Sequence, residues 1–190
     1  QNQKLTDWIV SLAAAEINET LSPNEKENAV INFMYSHLVE NLSFLNNKTE
    51  EKEKNLQVYI AILKTFAKAD QTALRYSLLK LYQPNWRQMT IEEAVGFCPE
   101  IVKLKNQVDA HLKHPLSFQL SRVIRPQAVF FLMLQQVMKK NPGKIHGIMD
   151  DPALLEKEVK EVAQASYQRI HGKLIGTIFR VIVYIFFTKT

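Results

Sequence analysis

The sequence predicts an all-α protein, a bundle of about seven helices with a long apolar helix at its C-terminal end. Three observations carry this. Apolar residues recur at 3–4 spacing along almost the whole chain, the mark of amphipathic helices, and period-two alternation is absent except near the end. Only 5 of 190 residues are glycine, against the usual ~7%, which disfavours folds built on many tight turns. A single cysteine, Cys98, leaves no disulfide framework and no cysteine-rich zinc site. With 46% apolar and 23% charged residues, the chain belongs among folded globular proteins rather than disordered ones.

The elements follow in order. Leu5, Trp8, Ile9, Leu12 and Ile17 mark one face of a first helix that starts near Thr6 or Asp7. Ser22-Pro23-Asn24-Glu25 reads as a helix start, with serine as cap, proline in the first position and Glu25 closing a capping box. The helix it opens carries Val30, Ile31, Met34, Leu38, Leu42 and Leu45. Residues 46–55 are polar and read as a loop running into a helix with Leu56, Tyr59, Ile60, Leu63, Phe66 and Ala67 on one face. Asp70 caps the next, which bears Leu74, Leu78, Leu81 and Tyr82 and ends before Pro84.

Thr90-Ile91-Glu92-Glu93 is a second capping box. Pro99 is expected to open a helix with Ile101, Leu104, Val108 and Leu112, closed by Pro115. Residues 116–140 are helical in pattern, and Pro126 is expected to kink them or split them in two. Asn141-Pro142-Gly143 is a loop. Asp151-Pro152 starts the last helix, with Leu155, Val159, Val162, Ile170 and Leu174 on one face and Glu156 four residues before Lys160 on the other.

The run from Leu174 to Phe187 loses the amphipathic pattern and is apolar all round. Fourteen helical residues reach about 21 Å, short of the ~30 Å hydrocarbon core, and Arg180 sits within them. Three readings stand: a central buried helix, the beginning of a membrane segment or hairpin, and a β-strand favoured by the Val, Ile, Phe and Tyr content. The domain reading is accordingly a helical domain over 1–173 and an apolar helix over 174–190. In the membrane reading the contacts are Ile178, Phe179, Ile182, Ile185 and Phe186.

Charge is uneven. Residues 1–60 hold five basic and nine acidic side chains, and residues 100–149 hold eight basic and two acidic, although the whole chain is only +5. A basic segment of this kind steers anionic partners such as phospholipid head groups or nucleic acid, and ordinary solvated lysines are the plain alternative. The candidate contacts for an anionic ligand or lipid are Arg122, Arg125, Lys139, Lys140 and Lys144, with Lys103, Lys105 and Lys113 nearby. Arginine makes up 6 of the 24 basic residues and no helix-turn-helix pattern stands out, so nucleic acid is the weaker expectation beside a membrane surface or a protein partner.

No catalytic residue can be named. P-loop, dinucleotide-binding, nucleophile-elbow and H-E-x-x-H motifs are all absent from the sequence, and no cofactor or metal is expected. His111 and His114 lie three apart on a helix and could take two positions on zinc, but the sequence indicates no third ligand, so they read as solvated histidines. His37 and His171 are isolated and read as structural. Cys98 reads as a plain buried thiol, and Glu92 and Glu93 as first-turn acids that complement the helix dipole. Three glycosylation sequons, at Asn18, Asn41 and Asn47, are weak signals among twelve asparagines. No leader peptide is read before the first helix, and the expected setting is cytoplasmic, free or at the membrane. The function expected is a non-enzymatic helical domain making lipid or protein contacts; the alternative is a soluble module that binds an acidic ligand through residues 100–149.

Overall fold

The computed structural model describes residues 2–44 and 49–188; beyond Arg169 it describes the side chains of His171 and Tyr184 only. The described residues form eight α-helices and no strand: α1 (Asn2–Leu21), α2 (Glu25–Asn41), α3 (Glu51–Thr65), α4 (Gln71–Tyr82), α5 (Ile91–Leu112), α6 (Pro115–Lys140), α7 (Ile145–Asp150) and α8 (Pro152–Thr188), with a single 3-10 turn at Trp86–Gln88. The all-helical class is as expected, and the helix not foreseen is the short α7. Among the described residues no helix is long and apolar enough to cross a membrane. The candidate membrane contacts Ile178, Phe179, Ile182, Ile185 and Phe186, like Ile170 and Leu174, lie outside the described side chains, although the backbone there belongs to α8.

The chain divides into two compact units, 1–129 and 130–190, with the division inside α6. The boundary suggested by the sequence, 173/174, falls within the continuous α8. In the first unit α1 packs on α4, α2 on α3, and α4 on both α3 and α5. One part of its core gathers Trp8 and Leu12 of α1, Ile60 of α3, Tyr76, Leu78 and Leu79 of α4, and Leu104 and Val108 of α5. In the second unit α7 packs on α8, and Val137, Ile148 and Val162 form a smaller core with Leu155 and Val159 against it.

Several expectations need correcting, each for a physical reason. Ser22 does not cap α2. Its N–H is taken by the Asn18 carbonyl at 2.9 Å, so it finishes α1, and Asn24 occupies the cap position without a side-chain bond. The stretch expected as loop up to Asn55 is helical from Glu51, where Glu51 and Glu53 stabilise the first turn through the helix dipole. Pro99 and Pro126 open no helix and split none: both lie inside continuous helices. Each removes one N–H from the ladder, at the carbonyls of Val95 and Arg122, and both of those residues are exposed, so water can serve the freed oxygen. Ile9, Ile17 and Leu81 face outward rather than into the core, and Cys98 is exposed. Helix α3 buries Gln57, Val58, Ile60, Ala61, Ile62 and Leu63, covering far more of its circumference than the single expected stripe.

Other local signals hold. Asp70 accepts from Ala73 N at 2.8 Å, Thr90 and Glu93 form the reciprocal capping box, and Asp151 accepts from Ala153 N and Leu154 N. Glu156 and Lys160 pair at 2.6 Å, and Gly143 takes a φ of 81° in the predicted loop, a conformation costly for any residue with a Cβ.

Candidate functional site

The first unit is tied together by polar clusters that the sequence did not reveal. His111 of α5 is the centre of one. Its Nδ1 lies 3.0 Å from the Glu53 carboxylate of α3 and its Nε2 lies 2.7 Å from the Tyr82 hydroxyl of α4. A carboxylate only accepts, so Nδ1 carries the proton, and in the neutral ring Nε2 accepts from Tyr82. Buried Gln57 donates to Glu53 at 2.8 Å and to the His111 carbonyl at 2.9 Å, while its own Oε1 has no protein partner. Burial pushes the Glu53 carboxyl up, but the hydrogen bonds from Gln57 and His111, and the attraction of the His111 and His114 rings when they are protonated, outweigh it, and the net shift is downward.

A carboxylate holding an imidazole resembles a general base, yet both ring nitrogens are already occupied. Tyr82, the outer end of this chain, has its phenol pushed up by burial and by the Glu53 charge, so it stays protonated and is a poor nucleophile. The cavities that open beside the 3-10 turn, between α2 and α3, between α1 and α4, and between the end of α2 and α6 are not lined by Glu53, Tyr82 or His111 among the described residues. The cluster joins α3, α4 and α5. It also corrects the reading of His111 as solvated. His114 is half-buried too, and its Nδ1 accepts from Leu116 N at 3.3 Å. Among the described residues no group of three or more His, Cys, Asp or Glu could hold a metal ion.

Further ion pairs do similar work. Tyr76 donates to Glu16, and Arg87 and Trp86 also reach Glu16, joining α1 to α4 and the 3-10 turn. Asp109 of α5 takes Arg75 of α4 at 3.1 Å and Lys105 at 2.8 Å, and its carboxyl, pushed up by burial, is drawn lower overall by those two cations. Lys64 donates to Ser117 Oγ at 2.6 Å, fixing the start of α6 to α3.

The candidate anion contacts separate into two kinds. Lys140 is committed: Glu158 lies 2.9 Å away, and Glu161 pairs with it as well. Lys105 is held by Asp109. Arg122 and Arg125, by contrast, are exposed on α6 with no ion pair or hydrogen bond to another side chain among the described residues. They fall on one helical face with Phe118 and Val129, since 118, 122, 125 and 129 step by four, three and four. Phe118 is 72% exposed, Val123 52% and Val129 48%. The opposite side of the same helix, Leu120, Ile124 and Ala128, is buried. Lys139 and Lys144 are also exposed but belong to the second unit.

The structure thus brings Arg122 and Arg125 together in the first unit, leaves Lys139 and Lys144 in the second, and pairs Lys140 with Glu158 and Glu161. Compared with models of protein families, with curated proteins and with solved structures, the chain matches none.

Proposed function

We propose that this chain is a non-enzymatic helical domain that rests on an anionic membrane surface through the outward face of α6. The observation that carries the reading is the pair Arg122 and Arg125, exposed and without carboxylate partners among the described residues, set beside exposed Phe118 and Val129 on the same helical face. Charge draws such a face to acidic lipid, and apolar side chains then enter the head-group boundary. A surface of this composition in water leaves apolar area unburied that a lipid interface would cover.

The apolar run 174–187 is the second element of this proposal. Its ~21 Å reach suits a segment lying in or entering the interface better than one crossing it. The leaflet that carries anionic lipid is the cytoplasmic one, so the proposed setting is the cytoplasmic side of a membrane.

Flotation with vesicles tests this. Binding to phosphatidylserine-containing vesicles, weak on neutral phosphatidylcholine and falling with salt, is the expected result. Each arginine contributes about 1 kcal/mol near such a surface, so Arg122→Ala/Arg125→Ala should weaken binding roughly 30-fold. Removing 174–190 should reduce flotation yet keep the helical circular dichroism; loss of that signal would assign the segment to the core instead. Salt-sensitive binding to an oligonucleotide with no flotation would select the soluble, acidic-ligand alternative.

A further inference from the structure

The first unit holds a partly enclosed pocket of about 360 Å³ between the end of α2, the start of α3 and the first turns of α6. Leu42, Phe44, Leu116, Leu120 and Val123 give it apolar walls, and Lys54 is the one cation among the described lining residues. No carboxylate lines it among the described residues. The Lys54 ammonium sits 5.3 Å over the Phe44 ring and makes no ion pair among the described residues. An aromatic face is the partner an ammonium takes where no carboxylate is near, and a ligand carboxylate would bind it more strongly.

We propose that this pocket binds a single-chain anionic amphiphile, a medium-chain carboxylate whose head group meets Lys54 and whose chain lies against Leu42, Phe44, Leu116, Leu120 and Val123. The walls select an apolar body, and the one cation among the described lining residues selects a monoanion over a phosphate, which would call for more donors. Size follows from volume. A pocket of about 360 Å³ lies at the small end of ligand sites, which suits a medium-length chain rather than a long one. The proposal does not depend on the α6 arginines, because neither Arg122 nor Arg125 lines the pocket.

Isothermal titration of the full chain with decanoate, decanol and decyltrimethylammonium, each below its aggregation concentration, tests it. Decanoate should bind saturably at one site, decanol more weakly, and the ammonium amphiphile not measurably. Lys54→Met keeps the apolar stem and should weaken decanoate at least tenfold while leaving decanol within twofold. Val123→Trp, at a half-exposed wall position where extra bulk need not disturb the core, should weaken decanoate and decanol together. Arg122→Ala/Arg125→Ala should leave decanoate binding within twofold even as it weakens vesicle binding roughly 30-fold, so the two proposals fail separately. Absence of saturable decanoate binding, equal binding of the ammonium amphiphile, or an unchanged decanoate affinity in Lys54→Met would each overturn the assignment.

Discussion

Helices α3 and α6 are both rich in apolar residues, yet the fold treats them differently. Helix α3 is enclosed around much of its circumference, with Val58 and Ile62 buried as fully as Ile60. Helix α6 buries Leu120, Ile124 and Ala128 on one side and leaves Phe118 and Val129 bare on the other, together with two arginines. The difference teaches that the apolar content of a helix does not say whether its faces are covered. Burial is decided by how many neighbours surround it, and α3 has α2 and α4 packed on it.

The contrast can be broken most sharply by truncation. Ile60→Ala should cost about 2–5 kcal/mol, through lost transfer energy and the cavity left behind, whereas Phe118→Ala should lie within ~0.5 kcal/mol; chemical denaturation of both variants measures the difference. Comparable losses in the two would mean that the α6 face is packed in solution, by self-association for example.

A smaller effect separates the two kinds of cation. Arg125→Ala alone should weaken binding to phosphatidylserine vesicles by about fivefold, on the basis of ~1 kcal/mol per arginine, while Lys140→Ala, already neutralised by Glu158 and Glu161, should change it less than twofold. Equal losses would put Lys140 back among the contacts.

Caps come next. Thr90→Ala should destabilise by about 1 kcal/mol, because it removes the hydroxyl that accepts from Glu93 N while the bond from the residue 90 N–H to the Glu93 carboxylate stays, and Ser22→Ala by no more than a few tenths, read from the shift of the thermal midpoint. The smallest effect is set by pH. Glu53 and Asp109 both have lowered folded-state values, so their contribution is present above the ordinary carboxylate range of ~4 and is lost as pH falls through the folded values. Stability of the wild type should fall on acidification through that window, and Glu53→Gln/Asp109→Asn should flatten the fall.

These cases also show what was legible in the chain. Asp70, Thr90 and Asp151 could be read because a cap is a contact over two or three residues, fully contained in the local sequence. Ser22 looked like one and was not, since its N–H completes the preceding helix. Arg122 and Arg125 were legible as an i, i+3 pair. The commitment of Lys140 was not, because its carboxylates lie 18 and 21 residues away. The same separation hid the His111 cluster: Glu53 is 58 residues from it and Tyr82 is 29. Prolines misled where they mark helix starts by preference, while both of these sit on water-facing turns that tolerate a missing N–H.

Pro126 carries one more consequence. Lacking an N–H, it leaves the Arg122 carbonyl without its helical donor, on the face proposed to meet lipid. A carbonyl sunk into hydrocarbon without a partner costs several kcal/mol. That single oxygen sets a depth gauge: α6 can settle among hydrated head groups, where water reaches the gap, and is held back from the acyl chains beneath them.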